Sequence, residues 1–286
     1  PGRAGVYWFG MRIDAHHHYW KYSKEEYGWI DDSMAVIRRD FLPAELGGEI
    51  RAAGIDGVIS VQARQSLEET RWLLQLASGA PWMRGVVGWV PLVDPGVADV
   101  LGELSRNPLL RGVRHVLQGE PSSYMARPDF NAGIRRLRDF GLVYDVLIFH
   151  HQLPEAMAFV DRHPEQPMIL DHCAKPAVRD GRIEPWASQM RELARRPQVT
   201  CKLSGLVTEA DFATWSPESL RPYFDVVLDA FGPRRMLFGT DWPVCLVASS
   251  YRRWVDTVAR WIAPLSRSEQ DEIMGGTAVR AYGLTS

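Results

Sequence analysis

Eight short apolar runs, each followed by a longer segment of helical period, constrain this chain more than any other feature. They are MRIDAHHH (11–18), IDGVISVQA (55–63), RGVVGWVPL (84–92), LRGVRHVL (110–117), VYDVLIF (143–149), PMILDH (167–172), VTCKLSG (199–205) and RMLFGTDW (235–242). Most are continuously hydrophobic instead of alternating, as expected of parallel strands whose two faces are both covered. The intervening segments carry helix signals. Ser66 stands three residues before Glu69, a capping-box start, and Gly79 stops that helix. The pattern from Arg127 ends at Gly141, and those before Pro164 and Pro197 end at the prolines. Ser216 and Pro217 fit the N-cap and first position of a helix that stops at Gly232. With Ser219 at its third position, no capping box is expected there, although Glu218 suits the positive end of the helix dipole. Two further helical stretches, from Ser250 and from Ser266, close the chain.

Eight strands alternating with helices predict an α/β fold, a (β/α)8 barrel of the TIM type. A length of 286 residues suits it, since such barrels take roughly 250. An open doubly wound sheet is the alternative, but no glycine-rich phosphate loop follows an early strand. Residues 1–10 (PGRAGVYWFG) lack the charged and apolar regions of a secretory signal and read as an upstream extension or cloning remnant, leaving residues 11–286 as one barrel domain. Three widely spaced cysteines, Cys173, Cys201 and Cys245, suggest reduced thiols and a cytoplasmic protein. A net charge of −2 with intermixed signs gives no footprint for nucleic acid, and no apolar run has the roughly 20 residues a membrane helix needs. Oligomeric state is not legible. Residues 19–42 form an unusually long polar and aromatic connection after the first strand, expected to lie over the active face.

In a barrel, chemistry sits at the C-terminal strand ends. There the chain has His16-His17-His18 (first strand), Arg114-His115 (fourth), His150-His151 (fifth), Asp171-His172 (sixth) and Asp241-Trp242 (eighth). Side chains alternate along a strand, so His16 and His18 should face one way and His17 the other. With His172 and Asp241 this pair admits three readings. His16, His18, His172 and Asp241 could hold one divalent ion such as Zn. Without an ion, the imidazoles could hold a substrate oxygen while Asp241 acts as general base on water. Or the groups could be structural, His172 capping a loop and Asp241 binding backbone N–H groups. A two-metal site would need a further carboxylate or lysine from a middle strand, and none is expected in place. Arg114, or else its neighbour His115, is a candidate for substrate contact, as are Lys175 and His151. Trp242 and Trp29 could stack on a ring or simply pack.

At these residues the chain resembles a known family. IDAHHHYW, MAVIRRDFLPAEL, RGVRHVLQGEP, VYDVLIFHHQLPEA, LDHCAKP and LFGTDWPV are similar to the signature segments of the amidohydrolase superfamily, in its branch of sugar-lactone hydrolases. Within that branch it resembles L-fucono-lactonases, with L-rhamnono-lactonases and muconolactone-type and 2-pyrone-4,6-dicarboxylate lactonases as cousins. The resemblance implies the barrel and hydrolysis of an aldonolactone, first of all L-fucono-lactone. It puts His16 and His18 in the strand-one pair, His172 as the later imidazole and Asp241 as the base, with a divalent metal possible but not strictly required. His17 stands where the family usually has Gln, a silent departure since it faces away, and His151 stands where Arg is expected, so substrate contacts should differ at His151. A metal-dependent decarboxylase or hydratase, and a barrel that only binds a sugar acid, are the competing classes.

Overall fold

A computed structural model describes residues 10–284. Eight strands follow in chain order: β1 Ile13–His17, β2 Gly57–Val61, β3 Met83–Gly88, β4 Leu110–His115, β5 Val143–Val146, β6 Met168–Leu170, β7 Val199–Leu203 and β8 Met236–Phe238. Each pairs in parallel with the next. The barrel closes where the first and eighth runs meet: His18 N–H donates to Trp242 O at 2.7 Å, and Asp241 N–H to His16 O at 2.8 Å. Residues 11–286 as one domain, and residues 1–10 as an extension, remain expectations; all of 1–10 except Gly10 lie outside the described residues.

The continuous apolar runs are explained by two packed layers. Ile13, Ala15, Ile59, Val61, Val143 and Leu237 fill the interior together with Tyr282 and Leu284. Between strands and helices a second layer forms around Val58, Val86, Val113, Leu170 and Phe238. The helices are α1 Pro43–Ala53, α2 Leu67–Ser78, α3 Val97–Leu104, α4 Pro128–Leu137, α5 Leu153–Asp161, α6 Trp186–Leu193, α7 Pro217–Phe231, α8 Tyr251–Ile262, α9 Arg267–Asp271 and α10 Thr277–Ala281. Two of them, α1 and α3, carry weak sequence signals. Helix α1 holds an internal Gly47-Gly48 pair, and a Cβ on Gly47 would come within 3.3 Å of the Trp82 ring, so tight packing is what calls for glycine.

Two caps depart from expectation. Ser66 Oγ accepts from Glu69 N–H at 3.1 Å, but the Glu69 carboxylate turns away to the N–H groups of Ala63 and Arg64 at 2.9 and 2.7 Å. At α7, Ser219 Oγ accepts from Ser216 N–H at 3.1 Å, so a reciprocal cap forms with serine in the role usually given to Glu or Gln. The long connection is pinned at its base by a two-way backbone bridge between Trp20 and Phe41 (3.1 and 2.9 Å) and contains a 3-10 turn, Asp32–Ile37. All three cysteines are free and buried.

Candidate active site

Strand β1 carries one residue more than its partner. Asp14 pairs with Val58 and His17 with Ser60, three steps against two, which is a β-bulge. The bulge lets Ala15 and His16 both face the interior. His18 then follows His16 inward, and His17 points out, its Nε2 2.8 Å from Ser60 Oγ. His16 and His18 meet at 3.2 Å between their Nε2 atoms. His18 Nδ1 donates to Val61 O at 2.8 Å.

His172 is delivered by a rarer device. After β6 the chain makes a left-handed turn in which four consecutive non-glycine residues, His172, Cys173, Ala174 and Lys175, have φ between 49° and 58°. Each such residue costs about 1–2 kcal/mol relative to ordinary backbone. The turn is held by Lys175 N–H to His172 O (2.8 Å) and by the Trp186 indole N–H to Cys173 O (2.7 Å). His172 Nδ1 rests 2.9 Å from Ser204 Oγ, leaving Nε2 for the pocket. Asp241 also has a positive φ, 60°, at the end of the eighth run. Its Oδ1 lies 3.3 Å from His18 Nε2, 3.7 Å from His16 Nε2 and 3.9 Å from His172 Nε2. The four residues singled out from the sequence therefore share one floor.

Electrostatics set their resting forms. Burial pushes His172 down to about 4, with Lys175 and Arg114 adding to it against the pull of Asp241 and Asp171. His16 is held well below its usual range, again by burial first. Burial would raise Asp241, but His172, a hydrogen bond from His18 and Lys175 outweigh it and hold the carboxyl below the ordinary value. At neutral pH the floor thus presents an ionised carboxylate beside neutral His16 and His172.

The same groups fit a divalent ion. A tetrahedral ion bonded at 2.0–2.1 Å sets its ligands about 3.3 Å apart. The His16, His18 and Asp241 ligand atoms are separated by 3.2, 3.3 and 3.7 Å. A second overlapping set is His16, Asp171 and His172.

Above the floor opens a cavity of about 590 Å³, ordinary for a small-molecule site. Its lining includes His18, Arg114, His172, Lys175 and Asp241, with Trp29, Asp31 and Met34 from the long connection, which therefore does lie over the site. Arg114, not His115, faces inward. His115 stacks on Tyr124 and pairs with Glu120 at 2.8 Å, outside the barrel. Yet the Arg114 fork is occupied: Nε donates to Gln62 Oε1 (2.8 Å), Nη2 to the Gln62 amide and carbonyl, and Nη1 to Asp171 (2.9 Å). Two expected contacts are not brought in. His151 is exposed and stacks on Phe149 outside the cavity lining, because the chain turns into a 3-10 segment at His150. Trp242 is buried against Tyr19 and Phe41, since its side chain alternates away from Asp241. Trp29 is 44% exposed at the rim.

Sequence reasoning missed the layer beneath. Lys202 on β7 lies 3.2 Å from His16 Nδ1 and 2.9 Å from Asp171 Oδ1, and it binds Asp145 on β5. Tyr282 donates to Asp145 at 2.9 Å. The expectation that no middle-strand lysine or carboxylate reaches the site is thus corrected. The signal was present: Lys202 and Asp145 interrupt otherwise apolar parallel-strand runs, where a charge must find an inward partner. Glu209, 3.8 Å from Lys175, lines the cavity and was also missed; it lies on a loop with no motif to mark it.

Residues 13–284 match the amidohydrolase family. The chain is 42% identical to an L-fucono-1,5-lactonase of Burkholderia multivorans, over 96% of each. It is 35% identical to an L-fucono-1,5-lactonase of Burkholderia ambifaria, again over 96% of each. A crystal structure of an amidohydrolase from Burkholderia multivorans with bound zinc, 42% identical, superimposes with a TM-score of 0.94 over 96% of this chain and 100% of that one.

Proposed function

The chain belongs to the amidohydrolase family, and from that premise we propose that it is a lactonase opening the ring ester of a sugar lactone, L-fucono-1,5-lactone, to the free sugar acid. The observation that carries the reading is the convergence of three imidazole Nε2 atoms on one carboxylate oxygen, all within 3.9 Å, at the floor of a cavity of sugar size.

The chemistry follows from the donors and acceptors present. Water attacks the lactone carbonyl carbon. Asp241, ionised at neutral pH, takes the water's proton. The carbonyl oxygen, becoming an oxyanion, is held by the imidazole N–H donors of the floor; one such donor is worth about 10²–10³ in rate in well-studied hydrolases. Asp241 then returns the proton to the departing ring oxygen. A carboxylate of low basicity suffices because a strained ester is an easy electrophile. When bound, a divalent ion held by His16, His18 and Asp241, with His172 alongside, would supply Lewis acidity to the same oxygen. Lys175, which sits 3.8 Å from Glu209, is the proposed contact for the sugar hydroxyls; Trp29 offers a face for the ring. Arg114 acts by holding Asp171 and Gln62 in place instead of by touching substrate. Among the described residues no helix is long and apolar enough to cross a membrane. The cytoplasm is the proposed compartment, supported by the free buried thiols.

The test is a panel of aldonolactones followed by acid release at neutral pH, with and without chelator. Turnover of L-fucono-1,5-lactone ahead of its epimers is expected. No acid from any member would refute the lactonase reading, and carbon dioxide release from an aromatic acid would replace it with the decarboxylase one.

A further inference from the structure

Three Lys and Arg cations line the cavity, and each has a carboxylate partner. Arg114 is paired with Asp171 at 2.9 Å. Arg64, just past β2, is paired with Glu26 of the long connection, and Glu69 lies 4.0 Å from its Nε. Lys175 has Glu209 at 3.8 Å. Asp31 and Asp241 add two more carboxylates to the lining. Among the described residues the cavity therefore offers a ligand carboxylate no cation that lacks a carboxylate already. An acid entering it would set its charge beside an existing anion, at a cost that grows as water is excluded.

The Lys175 pair differs from the other two. The Arg114 and Arg64 pairs are closed by direct hydrogen bonds. The 3.8 Å between Lys175 Nζ and Glu209 Oε1 is too long for one. Both side chains line the cavity and are part-exposed, by 17% and 21%. Their backbones are fixed: Lys175 O accepts from His150 Nδ1 at 2.8 Å, and Glu209 O accepts from Arg179 N–H at 3.0 Å. A hydroxyl oxygen about 2.8 Å from the ammonium and about 2.6 Å from the carboxylate closes a triangle on that gap. It accepts from Lys175 and donates to Glu209 at once, which needs a group with both a lone pair and a proton. A ligand carboxylate can only accept, and it would meet Glu209 as a like charge.

We propose that Glu209 is a specificity-determining residue: with Lys175 it clamps a sugar hydroxyl, and it denies Lys175 to any carboxylate, so the cavity takes uncharged polyhydroxy lactones and rejects lactones and ring acids that carry a carboxylate. Turnover gains from the same arrangement. Ring opening makes an anion from a neutral molecule, and that anion is born among carboxylates, which favours its release. The proposal takes its substrate from the lactonase reading; the exclusion of carboxylates can be measured without turnover.

The experiment uses the full chain, stripped of metal with chelator, as wild type, Glu209→Gln and Lys175→Met/Glu209→Gln, which removes the pair together. Titration calorimetry measures binding of L-fucose as a neutral probe and of L-fuconate and benzoate as anionic ones. Hydrolysis of L-fucono-1,5-lactone gives kcat, KM and inhibition by L-fuconate. Wild type is expected to bind L-fucose more tightly than either acid. Glu209→Gln should bind both acids at least about tenfold tighter than wild type does, since Lys175 is then open to them. Its KM for the lactone should rise about three- to tenfold with kcat little changed, the mark of a contact made equally in ground and transition states. The double variant should keep the raised KM and lose the gain for acids, because the cation that attracts them is gone. A merely structural role for Glu209 would weaken all ligands together. Wild type binding L-fuconate as tightly as L-fucose, or folded Glu209→Gln with unchanged affinity for both acids, would overturn the proposal. If Glu209→Gln gains the acids while wild type hydrolyses no lactone, the charge assignment is supported and the lactonase reading is what has failed.

Discussion

At the scale of single residues, two carboxylates 70 positions apart do opposite jobs. Asp241 faces the cavity, held ionised by the imidazoles and by Lys175. Asp171 faces away beneath it, locked between Arg114 and Lys202. Replacing Asp241 with Asn keeps size and hydrogen-bonding reach but removes the base, so kcat should fall by about 10²–10⁴ while the circular dichroism spectrum and Tm stay near those of the wild type. A variant that retains wild-type turnover would show that water is activated elsewhere. The two carboxylates also show how far the chain could be read unaided. Asp241 and the histidines were legible because barrel enzymes put chemistry at strand ends and the chain puts ionisable groups there. Lys202, Asp145 and the role of Asp171 were not, since nothing local says which buried charge meets which; that is decided across the barrel, over sequence separations of 57 between Lys202 and Asp145. His151 is carried out of the cavity by a turn into a 3-10 segment that no residue spacing announces, and Trp242 by the alternation that sends its side chain away from Asp241.

At the scale of elements, the left-handed turn His172–Lys175 concentrates strain at the site, and one glycine makes room for it. Gly205, itself at φ +68°, lies so close that a Cβ there would come within 2.6 Å of His172 Nδ1. Gly205→Ala should therefore displace the imidazole and lower kcat at least about tenfold, and the positive φ should cost a further 1–2 kcal/mol or so of stability. Gly181 has φ +63° but nothing within 4 Å of a Cβ, so Gly181→Ala should show the stability loss alone. Equal kcat for the two alanine variants, measured on lactone hydrolysis, would show that the His172 ring is not confined by Gly205. Strand order was readable from hydrophobic period, because covering both faces of a parallel sheet leaves an unmistakable pattern; most helices were readable too, but α1 and α3 were not named from it. The left-handed turn was not readable: DHCAK contains no glycine or asparagine to advertise it, and tertiary contacts from Trp186 and Ser204 impose it. The β1 bulge was equally silent, though the alternation rule still placed His16 and His18 together.

At the scale of the whole molecule, the fold stores several histidines in neutral form. Outside the floor, burial holds His17 well below its usual range, lowers His115, and brings His163, which donates to Asn131 at 2.7 Å with Arg135 and Arg162 nearby, down to about 4. An unfolded histidine takes its proton near pH 6.5. Between that value and the native one the unfolded chain binds more protons, so stability is full above about pH 6.5 and is lost as pH falls toward 4, at up to about 1.4 kcal/mol per pH unit for each such histidine. Thermal unfolding followed from pH 7 to 4.5 should show Tm falling steadily, and His163→Gln should flatten the slope; parallel slopes for the two proteins would refute the assignment. The long connection clasped at Trp20 and Phe41 adds to the cavity wall without entering the barrel's hydrogen bonding, so its sequence can change with little effect on the strands. The contact between Tyr282 and Asp145 has a different reach. It joins Tyr282 to the charges under the cavity floor, 137 positions earlier. While the protein is being synthesised, Lys202 and Asp145 can be in place before their phenol partner has left the ribosomal tunnel. A nascent chain halted before Tyr282 should thus hold every floor residue and still lack the settled charge arrangement beneath them, so catalytic competence should appear only once Tyr282 has emerged.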